Sequence, residues 1–169
     1  MAEKETVFSS NITYGGIFSF KDFYKFCYDW LIDEIGMDSV TEEKYSEKLA
    51  GDSKEIEVKW VGEKDMTDYF RFEVKVSFTV RGLKKVEISN GGEKVETNKG
   101  DVKMKVDGIL VRDYKGKFEM SASKKFMREV YEKWVISSRV DEFRSKIAGD
   151  CDELLLQAKA YLDLEGKNK

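Results

Sequence analysis

The chain has 169 residues, of which 41% are hydrophobic and 37% charged, enough for one domain with a core of its own. Its 30 basic and 33 acidic residues leave a net charge of −3, a poor electrostatic footprint for nucleic acid. With no histidine anywhere, Ser-His-Asp and Cys-His catalysis and the His-x-x-x-His zinc sites are excluded together.

The first apolar segment, Glu5 to Tyr14, mixes β-branched and aromatic residues and reads as a strand or extended lead-in ended by Gly15-Gly16. Ser19 followed by Asp22 has the shape of a helix start. Phe20, Phe23, Tyr24, Cys27, Trp30, Leu31 and Ile35 then recur every three or four residues as one wide stripe. Gly36 supplies a left-handed cap. Phe26 and Ile32 lie off that stripe. The stretch 37–49 is readable as a polar helix or as a strand, and the alternation that follows favours the strand. A turn is expected at Ala50 to Ser53, then a strand through Ile56, Val58 and Trp60, and a connection at Gly62 to Asp65.

The longest regular pattern lies between Tyr69 and Arg81, where Phe70, Phe72, Val74, Val76, Phe78 and Val80 alternate with polar residues. A period of two over 13 residues places one face of a β-strand in a core. Such a strand spans about 43 Å, against a usual length of about 17–20 Å, so it must curl or carry a bulge. Gly82 is expected to end it. Val86 and Ile88 lead to Asn90-Gly91, a hairpin signal, and Val95 starts the return. Gly100 is read as a break before a strand through Val102, Met104 and Val106. At Gly108 the phase changes, which reads as a bulge or bend. Asp113 to Lys117 turns into a short strand at Phe118 to Met120.

Ser121 or Ser123 is expected to cap a helix with a stripe of Phe126, Met127, Val130, Tyr131, Trp134, Val135, Phe143 and Ile147, kinked at Ser137-Ser138 and closed by Gly149. A further helix starts at Asp150 and carries Leu154, Leu155, Ala158, Leu162 and Leu164. Residues 1–169 therefore make one α+β domain with a frayed tail at 165–169. A curved antiparallel meander packs against an N-terminal helix and two C-terminal helices. This order is similar to the helix-grip fold of START-like lipid and hydrophobic-ligand binders, from which the helix after Gly149 departs.

No catalytic residue, cofactor or metal site is singled out, since the two cysteines are too far apart for a Cys-x-x-Cys site and no phosphate-binding glycine loop occurs. Cys27 and Cys151 are read as small core hydrophobes. Asp107 and Asp113 flank the Gly108 irregularity, where turn chemistry explains them more simply than a metal or catalytic pair does. Lys99, Lys103 and Lys105, with Arg71, Lys75 and Arg81, form a basic face interrupted by Glu73 and Asp101, which suits cross-strand pairing. A nucleic-acid platform needs exposed aromatics, and Phe70, Phe72 and Phe78 fall on the other face. Trp30, Trp60 and Trp134 are expected in the core.

These features suggest a non-enzymatic interaction or accessory protein acting through protein–protein contacts. Phe26, Ile32, Ile136 and Leu156 are candidates for a partner-facing or homo-oligomer surface. The competing expectation is a small-molecule or lipid-binding module with a cavity between the curved sheet and the long helix, motivated by the long strands and the 13% aromatic content. No apolar run reaches the ~20 residues that span a bilayer, and no signal-peptide core is visible at the N-terminus, so a cytoplasmic location is expected.

Overall fold

The computed structural model describes residues 3–115, 122–135 and 137–167. Five strands form one antiparallel sheet: β1 (Glu3–Phe18), β2 (Ser39–Ala50), β3 (Ser53–Asp65), β4 (Phe70–Asn90) and β5 (Glu93–Arg112). Their spatial order is β1-β5-β4-β3-β2, so β2 to β5 is a meander and β1 returns beside β5. Helix α1 (Phe20–Asp29) follows β1 and runs on into a π-helical turn at Trp30–Ile35. After the sheet come α2 (Ala122–Val130), a second π-helical turn (Tyr131–Val135) and the long α3 (Ser137–Lys167). The architecture is α+β, with a curved antiparallel sheet under helices.

The alternation in β4 sets the orientation of the whole sheet. Residues 70 to 80 at even positions are all buried, as are Ile56, Val58 and Trp60 opposite them and Val102, Met104 and Val106 on the other side. Each such side chain contributes about 1.5–3 kcal/mol of burial. Helix α1 lays Phe20, Phe23, Cys27, Leu31 and Ile35 on this concave face. Ser19 accepts a hydrogen bond from the Asp22 N–H at 3.4 Å, and Gly36 closes the π turn at φ 79°, so both ends of the stripe fall where the sequence placed them. Phe23 meets Phe78 edge-to-face at 5.7 Å, and Trp60 meets Phe78 at 5.0 Å. Within the stretch 37–49, strand β2 begins at Ser39, as the neighbouring alternation suggested.

Several glycines do not end the elements they interrupt. β1 continues through Gly15-Gly16, paired to Asp101 and Gly100, as far as Phe18. β3 continues through Gly62 to Asp65. β4 and β5 run past Gly82 and Gly100, because together these residues make a bulge at the Arg81/Lys84 register shift. A Cβ on Gly100 would stand 3.0 Å from Leu83 Cα and 3.1 Å from the Arg81 carbonyl, so only glycine lets the bulged backbone approach. The hairpin turn falls one residue later than expected: Asn90 pairs with Glu93, and Gly91-Gly92 fill the two central positions at φ 61° and 88°.

Gly108 has a different role from the bend expected of it. The register shift lies across from it in β1, between Thr6 and Phe8, while β5 stays regular. Gly108 is the point where α3 touches the sheet: an added Cβ would lie 2.7 Å from Cys151 Sγ and 2.8 Å from Ile147 Cγ2. α3 also continues through Gly149, so the division between the two C-terminal helices falls before Ser137 and not at Gly149. Val140, Phe143, Ile147, Cys151, Leu154, Ala158 and Leu162 keep helical spacing across that glycine and are all buried. Their packing outweighs the ~1 kcal/mol cost of one exposed helical glycine.

At the opposite end an ionic clamp ties helices to strands. Glu5 on β1 receives hydrogen bonds from Arg112 on β5 and from Arg144 on α3, and Arg112 also faces Glu132 at 3.4 Å. Glu132 in turn accepts from the Tyr69 hydroxyl at 2.6 Å. The short strand expected at Phe118 to Met120 and the cap at Ser121 lie outside the described residues. The kink expected at Ser137-Ser138 coincides with the start of α3.

Candidate functional site

The sheet outruns its helices at the end where β1 passes into α1. There a cavity of about 830 Å³ opens on the concave face, bounded by the start of α1, the β2–β3 hairpin, and β4 and β5 around the Arg81/Lys84 bulge. Phe20, Tyr24, Tyr45, Leu49, Ile56 and Leu83 give it an apolar floor and walls. Leu49 is 79% exposed and Tyr45 46% exposed, on the edge strand β2. A site between the sheet and the long helix was expected; instead α3 lies in direct contact with the sheet at Gly108, and this cavity lies under the start of α1.

Local structure explains how the walls are held. A strand alternates faces, so Tyr45, Glu47 and Leu49 of β2 all project to the concave side, opposite Val58, Ile56 and Lys54. Glu47 accepts from the Tyr45 hydroxyl at 2.6 Å. Glu42 accepts from the Tyr24 hydroxyl and, at 3.4 Å, from Trp60 Nε1, which binds α1 to the sheet edge. Tyr24 also stands edge-on to Trp60 at 4.9 Å and to Tyr45 at 6.4 Å. Burial, and then the hydrogen bond to Glu42, push the Tyr24 hydroxyl up to about 12. Tyr45 is raised for the same reasons, with Glu47 as its partner. Both tyrosines therefore remain neutral donors, and the walls hold Glu42 and Glu47 in acceptor roles.

Four lysines line the same space. Lys54 faces Glu47 at 3.7 Å and Lys84 faces Asp52 at 3.8 Å. Lys21 and Lys85 form no ion pair among the described residues. Asn98 sits between their two elements, pairing with Lys85 across the β4–β5 ladder and accepting the Phe20 N–H at 3.2 Å.

The residues singled out from sequence distribute differently. Asp107 is held by Ser9 at 2.6 Å on the outer sheet face, and Asp113 is buried beyond the end of β5 at φ 52°. Six residues of extended chain separate them by about 20 Å, so they form no common site. Lys75 lies beside Asp107 and Arg81 beside Asp101 on neighbouring strands, and Arg71 is turned to Asp65 at 2.7 Å. The basic face is thus broken by cross-strand acids. Glu73 is itself buried, with Lys4 at 3.1 Å.

Trp60 is buried and Trp30 packs against the core, but Trp134 is 74% exposed, contrary to the core position its stripe suggested. Phe126, Met127 and Val130 are exposed with it on α2 and the turn that follows. Helical spacing showed a stripe there without showing what it faces. Of the partner-facing candidates, Phe26 is half-buried and stacked on Tyr161 of α3 at 4.7 Å, Ile32 is half-buried, Leu156 is exposed, and Ile136 lies outside the described residues. Cys27 and Cys151 are free thiols in the core, as expected. Among the described residues, no group of three or more Asp, Glu or Cys stands close enough to hold a metal ion, and no helix is long and apolar enough to cross a membrane.

The cavity residues were absent from the sequence-derived candidates. Tyr24 was absorbed into the core stripe of α1, and Tyr45, Leu49, Leu83 and Lys85 carried no pattern of their own. The one available signal was Leu49, an apolar residue at the end of a charged edge strand.

The fold and cavity together define an α+β protein whose helices leave one end of a curved sheet open. No family model, curated protein or solved structure matches the chain.

Proposed function

We propose that the protein is a non-catalytic binding module whose site is the cavity between the start of α1 and the open end of the sheet. One observation carries this reading: an 830 Å³ space with an aromatic and aliphatic floor, within the range typical of ligand pockets. The missing histidine, and the engagement of Glu42 and Glu47 by tyrosine hydroxyls, favour holding a ligand over transforming one. Titration of the protein with medium-chain alcohols and acids, followed by calorimetry, tests it. Binding in the micromolar range that falls tenfold or more in Leu49→Asp supports the reading. An absence of binding for every chain tested, or binding indifferent to Leu49→Asp and Tyr45→Ala, refutes it.

A second reading, contact with another protein, is favoured by the outer face of α2. Phe126 is 67% exposed there, Met127 56% and Trp134 74%, on one helical side. Contiguous exposed apolar surface of this kind marks interaction sites. Light scattering of the purified chain and of Trp134→Glu separates self-association from a monomer awaiting another partner.

A further inference from the structure

We propose that the occupant of the cavity is an amphipathic anion, its apolar body on the aromatic floor and its acidic group held between Lys21 and Lys85. This rests on reading the cavity as a ligand site. The argument is one of charge left over. Of the four lysines on the walls, Lys54 and Lys84 each face a carboxylate, and Glu42 is already engaged by Tyr24 and Trp60. Lys21 and Lys85 remain without an ion-pair partner among the described residues, although acidic residues outnumber basic ones in the chain.

These two lysines are brought to one mouth by a specific device. Asn98 uses its side-chain oxygen on the Phe20 N–H, which pins the first turn of α1 to β5, and its strand partner on β4 is Lys85. Its amide NH₂ is thereby left as a further donor on a lining it shares with Lys21 and Lys85. Lys21 occupies the first turn of α1, where the helix dipole disfavours a cation and favours an anion. The next acids along the β4–β5 ribbon, Glu87 and Glu96, pair with each other across the ladder and make no ion pair with Lys85. Two cations, a free amide and a helix start therefore line one apolar space. A carboxylate or a phosphate on an aliphatic or aromatic body complements that arrangement.

Calorimetric titration with decanoate, decyl phosphate, decan-1-ol and acetate tests it on the whole chain. The expected result is that decanoate or decyl phosphate binds at least tenfold more tightly than decan-1-ol, with acetate too weak to measure. The preference should collapse to within twofold in Lys21→Ala/Lys85→Ala and survive in Lys159→Ala, an exposed lysine on α3. Which of the two anions binds better identifies the head group as carboxylate or phosphate. Equal affinities for acid and alcohol, unchanged in the double variant, overturn the assignment of the anion while leaving the cavity as an apolar ligand site. Acetate binding as tightly as decanoate also overturns it, because the apolar body then has no role. No binding by any of the four removes the ligand reading itself.

Discussion

Two glycine-to-alanine substitutions, 41 positions apart, should change stability in opposite directions. At Gly108 a new Cβ would stand 2.7 Å from Cys151 Sγ and 2.8 Å from Ile147 Cγ2, well inside the ~3.5–4.0 Å of a relaxed contact. Both neighbours are fully buried on a helix that packs along β1 and β5, so room appears only if α3 lifts from the sheet. Overpacking of this kind costs about 1–3 kcal/mol. Against it stands the reduced freedom of the unfolded chain, worth about 0.4–1 kcal/mol in favour of alanine. The overlap wins, and Gly108→Ala should lose about 1–2 kcal/mol, or a Tm lower by about 2–8 °C for a chain of this size.

At Gly149, inside the same helix, a Cβ meets nothing within 4 Å. There the helical cost of glycine is simply removed, and Gly149→Ala should gain about 0.5–1 kcal/mol. Thermal and urea unfolding followed by circular dichroism measure both. Adding Cys151→Ala to Gly108→Ala should recover part of the loss as a non-additive coupling. If Gly108→Ala raises Tm as Gly149→Ala does, the contact between α3 and β5 is not what requires glycine, and the packing argument falls.

Three further outcomes follow from the buried groups and the clamp. Glu5 is held below its usual 4.5 by the hydrogen bond from Arg144 first, against the opposing effect of burial, and by Arg112. Its contribution is therefore complete above about pH 4.5 and is lost as pH falls through the lower folded value, so the stability difference between wild type and Glu5→Gln should shrink on acidification; a difference independent of pH contradicts the clamp. Burial pushes the Cys151 thiol up to about 12 and raises Cys27 as well, so a thiol-reactive dye at pH 8 should label neither in the native protein and both in urea; rapid native labelling refutes their burial. Trp134→Ala should change stability by less than about 0.5 kcal/mol, whereas Trp60→Ala should cost about 3–5 kcal/mol, as urea midpoints will report.

How far the sequence reached depended on whether a pattern names its own partner. In β4 the alternation of Phe70 to Val80 repeats long enough that only a half-buried strand fits, and the rest of the sheet follows from it by register. The stripe of α1 is framed by Ser19 and Gly36, whose chemistry is local. Glycine was the weak point, because its meaning is decided by what lies opposite. Gly100 accommodates a bulge in the neighbouring strand, Gly108 admits a helix, and Gly149 merely sits inside one, yet all three read alike as punctuation. The stripe on α2 failed for a related reason: Phe126 to Trp134 has the period of a buried face, and periodicity is blind to whether anything covers that face. The cavity was illegible because its residues come from five elements, and their convergence depends on where helices stop, not on any spacing within a segment.

That stopping point explains why a cavity exists in a chain with so complete a core. α3, at 31 residues, extends about 46 Å, while β4, at 21 residues, has a contour of about 70 Å. α3 ends beside β1, where a Cβ on Gly166 would lie 2.5 Å from the Tyr14 hydroxyl oxygen. α1 begins only at Phe20, tied to Asn98, and runs back over Trp60 and Phe78. Beyond the row Glu47, Ile56, Val80, Val102 and Tyr14 lies the start of α1, where Phe20 is tied to Asn98 and Leu83 is buried. Beyond that row an exposed sheet face ordinarily turns polar, as the outer face of the sheet does. Here Leu83 is buried, and Leu49 on the edge strand stands largely in water. Apolar surface left uncovered at the end of a long sheet is costly to keep and gains nothing for folding. On the proposed reading a ligand would cover this surface, with Lys21 and Lys85 on the same lining.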